Sequence, residues 1–481
     1  MDSFLALLAL VGAVIVISAL LSGWVDRTGV PQVAVFLAIG ALIGPFGLGL
    51  LDAAIDSPLL RVVATLSLVL VLFTDAVSLD LKEVRRHGLL ANLMLGPGTI
   101  LATILMAGAG WYLLGLSWPL AAILGAALAS TDPVLLRGVL RRPALHNSVR
   151  QALRLESSLN DIVLLPVVLI AIEILTSATP LTGADWGRVV VNMLLLSPGA
   201  GAVVAVVGVT ALEVARKRSG VRRDYESIYS IGLAFAAYAA AEAMGGSGFV
   251  AAFAAGLTVS SLDAELCDCF LEYGETTAEM ALLFTFVLFG TSIVWSGLGV
   301  ITGTTVLFTV VTLLIRPVAY FPALIPARLS VKNRALIAWF GPRGLSSLLL
   351  VMLAVFAGVE GSSFLLQVCC LGVLVSVVLH GFSPMVLIRA PKETPAPALA
   401  SASAVVVPED PDHQQSGPIT LDEYQRLKAS GSVVLVDSRS ERTFAETEAV
   451  PGSVRVHPDR AVAEATRHGL PAGATLVVFC A

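Results

Sequence analysis

Apolar runs long enough to cross a bilayer recur along this chain from its start to about Leu387, divided by short polar stretches. A hydrocarbon layer about 30 Å thick is crossed by about 20 residues of helix. Within it, backbone N–H and C=O groups find no water and must pair inside the structure, which leaves helices or closed barrels. A barrel would show alternating segments of about ten residues; the runs here are continuous instead. About 13 spans can be drawn, near residues 4–23, 31–50, 59–79, 89–114, 118–140, 147–176, 189–212, 225–243, 246–260, 276–296, 299–320, 333–357 and 362–388. The expected fold is an all-α polytopic membrane protein. Its first run, "MDSFLALLALVGAVIVISALLSGW", lacks the basic leading region of a signal peptide and is long enough to be a span.

Composition agrees. The chain is 56% hydrophobic and 14% charged, against about 25% charged in soluble domains. A net charge of −5 offers nothing that would attract a nucleic acid. The five cysteines, Cys267, Cys269, Cys369, Cys370 and Cys480, have neither a disulfide-framework pattern nor histidines at zinc-site spacing.

Lysine and arginine set the expected orientation. Clusters at Lys82–Arg86, Arg137–Arg154, Arg216–Arg223 and Arg328–Arg334 each follow an odd-numbered span. Those loops read as cytoplasmic, with the N-terminus outside and the C-terminus inside a cytoplasmic membrane.

Two spans are interrupted by polar residues. In the fifth, "AALASTDPVLLRGVL" places Thr131, Asp132 and Pro133 at mid-depth. Pro133 has no N–H to donate to the Ala129 carbonyl, and a charge in hydrocarbon must face protein or a watery cavity. An unwound segment with freed carbonyls and a carboxylate can coordinate a cation. In the twelfth, "WFGPRGLSSLLL" puts Arg343 between Pro342 and Gly344. A guanidinium at that depth keeps its charge and needs a partner, either Glu156 or the carbonyl end of a half-helix. Breaks seven spans apart suit inverted repeats with two crossed, interrupted helices.

The sixth span supplies the neighbouring polar face. "RLESSLNDIVLLP" carries Glu156, Ser157, Asn160 and Asp161, which fall within about 140° of one another at about 100° per residue. An acid there can exchange a proton for a cation, which is the chemistry of proton-coupled exchange.

In this order and spacing, "STDP", "ESSLND", "AEAMGGSGFVAAFAAGL" and "WFGPRG" resemble the monovalent cation/proton antiporters of the sodium/proton exchanger type, over roughly residues 5–388. The resemblance implies a 13-helix fold in which a dimerisation domain supports a mobile core that moves like an elevator. It implies a homodimer with no cofactor, transporting H+ and Na+, K+ or Li+. Asp161 would alternately hold proton and cation. Thr131, Ser157, Asn160 and Asp161 would line the cation site with Asp132 shaping it, and Glu156 with Arg343 would form a structural ion pair. Asn160 before Asp161, in place of a second aspartate, implies electroneutral exchange.

Residues 391–417 are rich in Pro, Ala and Ser and read as a disordered linker. Residues 418–481 carry "VVLVDSRSERTFAETEAVPGSVRVHP" and "GATLVVFCA", resembling a rhodanese-like domain. Asp437, Arg439, Pro451, Gly452 and Cys480 match that family's positions. With Ala481 directly after the cysteine, the segment is expected to be a partial α/β domain without its anion-cradling loop. The alternatives to an antiporter are a passive cation channel, which needs a continuous pore, and a membrane-anchored sulfurtransferase, which needs that loop.

Overall fold

The computed structural model describes residues 32–387, apart from 46, 51–56, 80, 141, 143–144, 178–181, 221–222 and 263–267, together with residues 12, 16, 17, 20, 424, 433–438, 452–456 and 475–479. The first expected span and the 391–417 linker therefore lie largely outside the described residues. The chain divides into two units, Met1–Thr394 and Pro395–Ala481.

The described part of the first unit is helical. Its elements are α1 (Gln32–Ile43), α2 (Pro58–Val77), α3 (Leu81–Arg86), α4 (Gly88–Leu93), α5 (Leu101–Leu114), α6 (Trp118–Ala129), α7 (Pro133–Leu140), α8 (Asn147–Leu159) and α9 (Asp161–Thr176). There follow α10 (Gly183–Val191), α11 (Ser197–Ser219), α12 (Arg223–Ala243), α13 (Gly248–Ser261), α14 (Asp268–Leu288), α15 (Gly303–Ala323), α16 (Val331–Trp339), α17 (Leu345–Phe356) and α18 (Ser362–Leu387). Several run on as single spans: α4 and α5 are joined by the π-helical turn Met94–Ile100, which contains Pro97. Proline cannot give its own backbone bond, and a π turn absorbs the misfit. Eight helices or helix runs among the described residues are long and apolar enough to cross a membrane, and four apolar helices are shorter.

Several boundaries differ from expectation; the tenth span, for example, begins at Asp268 rather than 276. The seventh span begins at Gly183 rather than 189, because Thr182 and Asp185 close a reciprocal capping box, with Asp185 accepting from Thr182 N at 2.9 Å. Such a box satisfies N–H groups that a helix start leaves unpaired. The expected eighth and ninth spans are separate helices, α12 and α13. Between them Glu242 Oε1 accepts from the backbone N–H of Gly248 at 2.8 Å, holding the start of α13.

The helices pack in two groups. One contains α1, α2 and α11–α14; the other contains α5, α6, α8, α9 and α15–α18. The groups meet where the 3-10 segment Val294–Val300, continuing from α14, lies against α18. Small residues allow backbones to touch where no hydrophobic force drives helices together in lipid. Gly40 and Gly44 serve this purpose inside the chain: a Cβ on Gly40 would stand 2.3 Å from the Val287 carbonyl oxygen. That pair therefore seats α1 on the end of α14, as close packing within one chain. Cys369 and Cys370 are buried apolar filling in α18.

The second unit contains a parallel sheet of three strands, β1 (Val433–Asp437), β2 (Ser453–Arg455) and β3 (Thr475–Phe479), in the order β2-β1-β3. Asp437 at the end of β1 is buried and lies 3.6 Å from Arg455. Gly452 precedes β2 at φ 83°, a left-handed conformation that suits glycine. Arg439, Pro451 and Cys480 lie outside the described residues.

Candidate ion-binding site

Both expected interruptions are present and they touch. Between α6 and α7, Ser130 turns out of the helix at φ −64°, ψ 140°; between α16 and α17, residues 340–344 are unwound. The backbone N–H of Asp132 donates to the Pro342 carbonyl at 2.8 Å, so each break pairs with the other.

Asp132 braces this crossing. Its Oδ1 accepts from Val134 N at 2.8 Å and Leu135 N at 3.1 Å, while its Oδ2 accepts from Leu345 N at 2.7 Å. One buried carboxylate thus covers the amino ends of α7 and α17, where orphan N–H groups and the helix dipoles concentrate positive charge. A Cβ on Gly344 would stand 2.2 Å from Asp132 Oδ2, so this approach requires glycine there. Three of the roughly four acceptor directions of a carboxylate are taken by backbone. Its oxygens point into the two helix ends, so Asp132 fixes the geometry of the crossing between the two breaks.

Arg343 serves the opposite pole. Its Nε donates to the Leu128 carbonyl at 2.6 Å, in the last turn of α6, and a terminal nitrogen donates to the Thr312 carbonyl. Cationic side chains satisfy the carbonyls and negative dipole of a helix carboxyl end. Of the two partners open to Arg343, the half-helix carbonyl end is the one it takes. The expected Glu156–Arg343 ion pair is not formed.

Glu156 is held instead by Arg316 of α15, with Nη1–Oε1 at 3.0 Å and Nη2–Oε2 at 3.1 Å. This forked geometry is the strong arrangement for guanidinium and carboxylate. Both residues are buried, at 1% and 4% exposure, so each would be costly without the other. Tyr320 donates to Glu156 Oε1 at 3.2 Å and bonds Thr99 at 2.8 Å; its ring lies 4.2 Å beneath the Arg316 guanidinium. Arg316 carries the sequence signal that singles out Arg343, an arginine in an apolar run beside a proline ("LLIRPVAY"). Its place near the end of a span, before a basic loop, also suits a side chain reaching to the interface. Only the placement of α15 separates the two readings.

The polar face of the sixth span meets the α6–α7 break. Thr131 Oγ1 donates to Glu156 Oε1 at 3.0 Å and accepts from Asn160 Nδ2 at 2.8 Å. Asn160 sits at the joint between α8 and α9, and Asp161 opens α9. Ser157, one turn earlier, donates to the Arg154 carbonyl at 3.1 Å and keeps its lone pairs. Three buried oxygens beside these contacts have no hydrogen-bond partner: Ser130 Oγ, Asn160 Oδ1 and Asp161 Oδ1. Buried oxygens of this kind are costly unless water or an ion meets them. Asp161 itself is only partly buried, whereas Thr131, Asp132, Glu156, Ser157 and Asn160 are buried. Among the described residues no cluster of three His, Cys, Asp or Glu side chains forms a metal centre. The donors here are carboxylate, hydroxyl and amide oxygens, which suit a hard cation.

Removing Arg343 tests its structural part. Arg343→Ala deletes charged hydrogen bonds worth about 2 kcal/mol each from two carbonyls. It is expected to lower the thermal survival of purified protein while leaving ion selectivity unchanged. A shifted selectivity at unchanged stability would contradict that role.

Comparison with known proteins gives a consistent picture. The family model for sodium/hydrogen exchangers, transmembrane, matches residues 15–389. The K(+)/H(+) antiporter NhaP of Alkalimonas amylolytica is 26% identical over 430 residues, covering 85% of this chain and 72% of that protein. NhaP2 of Shewanella baltica (strain OS223), also a K(+)/H(+) antiporter, is 27% identical over 408 residues, covering 83% and 69%. The structure of the sodium proton antiporter MjNhaP1 from Methanocaldococcus jannaschii at pH 8 matches with a TM-score of 0.65 at 20% identity, covering 81% of this chain and 99% of that one. That structural likeness concerns the fold. The family match takes in both broken spans, the Thr131–Asn160 contact and the Glu156–Arg316 pair, and the chain belongs to the sodium/hydrogen exchanger family.

Proposed function

We propose that this protein is a secondary antiporter that exchanges a monovalent cation, Na+ or K+, for H+ across the cytoplasmic membrane. The observation that carries the reading is the contrast between Asp161 and its charged neighbours. Asp132, Glu156, Arg316 and Arg343 are committed to helix ends or to one another. Asp161 has a buried oxygen with no partner, and so does the side-chain amide of Asn160, which precedes it in the chain. It is the acid at the crossing that is left to hold a proton in one state and a cation in the next. Thr131, Ser157 and Asn160 supply neutral oxygens around it, directly or through water.

Since Asn160 cannot titrate, Asp161 trades one proton for one monovalent charge, and the exchange is electroneutral. Relatives named for K+ and for sodium leave both ions as candidates. The two helix groups suit a dimer-forming scaffold and a core that moves as an elevator. We place 13 spans in the membrane with the N-terminus outside and the C-terminus inside, and two copies in a dimer. A passive channel fits less well, because Asp132 and Arg343 seal the helix ends that an open pore would need to expose.

Proteoliposomes scanned with Li+, Na+ and K+ against pH, with and without a membrane potential, test the reading. Cation-dependent proton movement that saturates and ignores the potential is expected. Cation flux with no counter-movement of protons would overturn it in favour of a channel.

A further inference from the structure

A groove of about 740 Å³ opens on the second helix group, between α15, α16 and the end of α18. That size lies within the roughly 300–1,000 Å³ of ligand clefts. Its walls are apolar, with Pro317 and Phe321 from α15, Leu336 and Trp339 from α16, and Leu387 from α18. The charged residue on its lining is Lys332, which is exposed. Arg334 stands at the same end, its guanidinium 4.7 Å over the Phe321 ring, and its buried Nε has no hydrogen-bond partner. From Lys332 to Trp339 the groove follows α16 for about 10 Å, at about 1.5 Å per residue. A hydrocarbon slot with one cation on its lining and a second over its Phe321 wall matches an amphiphile with an anionic head.

We propose that this groove binds an anionic glycerophospholipid, with an acyl chain along α16 and its phosphate against Lys332 and Arg334. Basic pockets between membrane helices recognise anionic headgroups, and lysine reaches the headgroup level with its stem in hydrocarbon. The same stretch of α15 places Arg316 and Tyr320 on Glu156 and Pro317 and Phe321 in the groove. A seated lipid would therefore buttress the helix that holds the buried ion pair.

The test is native mass spectrometry of the full chain in mild detergent, incubated with phosphatidylglycerol or phosphatidylcholine of matched acyl chains. One basic residue is worth about fivefold in anionic-lipid affinity. Retention of phosphatidylglycerol should exceed that of phosphatidylcholine by about tenfold or more. In Lys332→Gln/Arg334→Gln the preference should fall below about threefold. Ala335→Trp fills the groove with both charges in place and should reduce retention of both lipids. Equal retention by the unaltered protein, a preference that survives the double substitution, or normal lipid retention by Ala335→Trp would each overturn the proposal. So would Ala335→Trp changing the oligomer mass with lipid retention untouched, which would make the groove a contact between copies.

Discussion

Asp161→Asn is expected to reduce cation-dependent proton movement in everted vesicles or proteoliposomes to the protein-free background, at every pH and with every alkali cation. The substitution keeps size and shape but removes the group that can alternate between proton and cation. It should leave folding nearly intact, within about 1 kcal/mol, because the buried Oδ1 of Asp161 makes no hydrogen bond that the change would break. Loss of exchange in protein of normal yield and thermal survival is therefore the diagnostic combination. Exchange that persists in Asp161→Asn would remove the mechanism proposed here, whatever the family relationship.

Arg316→Ala is expected to produce the reverse pattern, a stability defect first. It would leave the Glu156 carboxylate buried with hydroxyl donors from Thr131 and Tyr320 alone. Breaking a buried ion pair by removing one partner costs about 3–5 kcal/mol, while replacing both members with packed neutral residues can be close to neutral. Heating followed by fluorescence-detected size exclusion should show Arg316→Ala lost at temperatures the unaltered protein survives. Glu156→Gln/Arg316→Met should recover most of that loss. Equal survival of Arg316→Ala would mean that the fork contributes nothing to the fold.

The contrast between these two residues shows what the sequence made legible. The broken spans could be read because their cause is local: Pro133 and Pro342 remove backbone donors, and a charge beside each must be met by protein. The polar face of Glu156, Ser157, Asn160 and Asp161 was legible from helical period. Partner choice was not. Arg316 and Arg343 carry similar local signals, and which one meets Glu156 depends on how α8, α15 and α16 are rotated against one another. That rotation is set by packing across more than a hundred residues of intervening chain. The role of Asp132 was hidden in the same way. Its carboxylate reaches Leu345, 213 positions away in sequence, and only the crossing of the two breaks brings that amide within reach. The start of the seventh span was a milder case, since the Thr182–Asp185 box is a local signal that the weight of hydropathy obscured.

The crossing also bears on where this protein can bend. An unwound stretch inside a helix looks like the natural place for a hinge. Here each such stretch is stitched to the other by the Asp132–Pro342 backbone bond, by one carboxylate shared between two helix ends, and by Arg343 reaching back to the end of α6. Bending at either break would strip several buried polar groups at once. The pair of broken spans is better suited to travel as one rigid block, and any flexing has to fall in the connections around it.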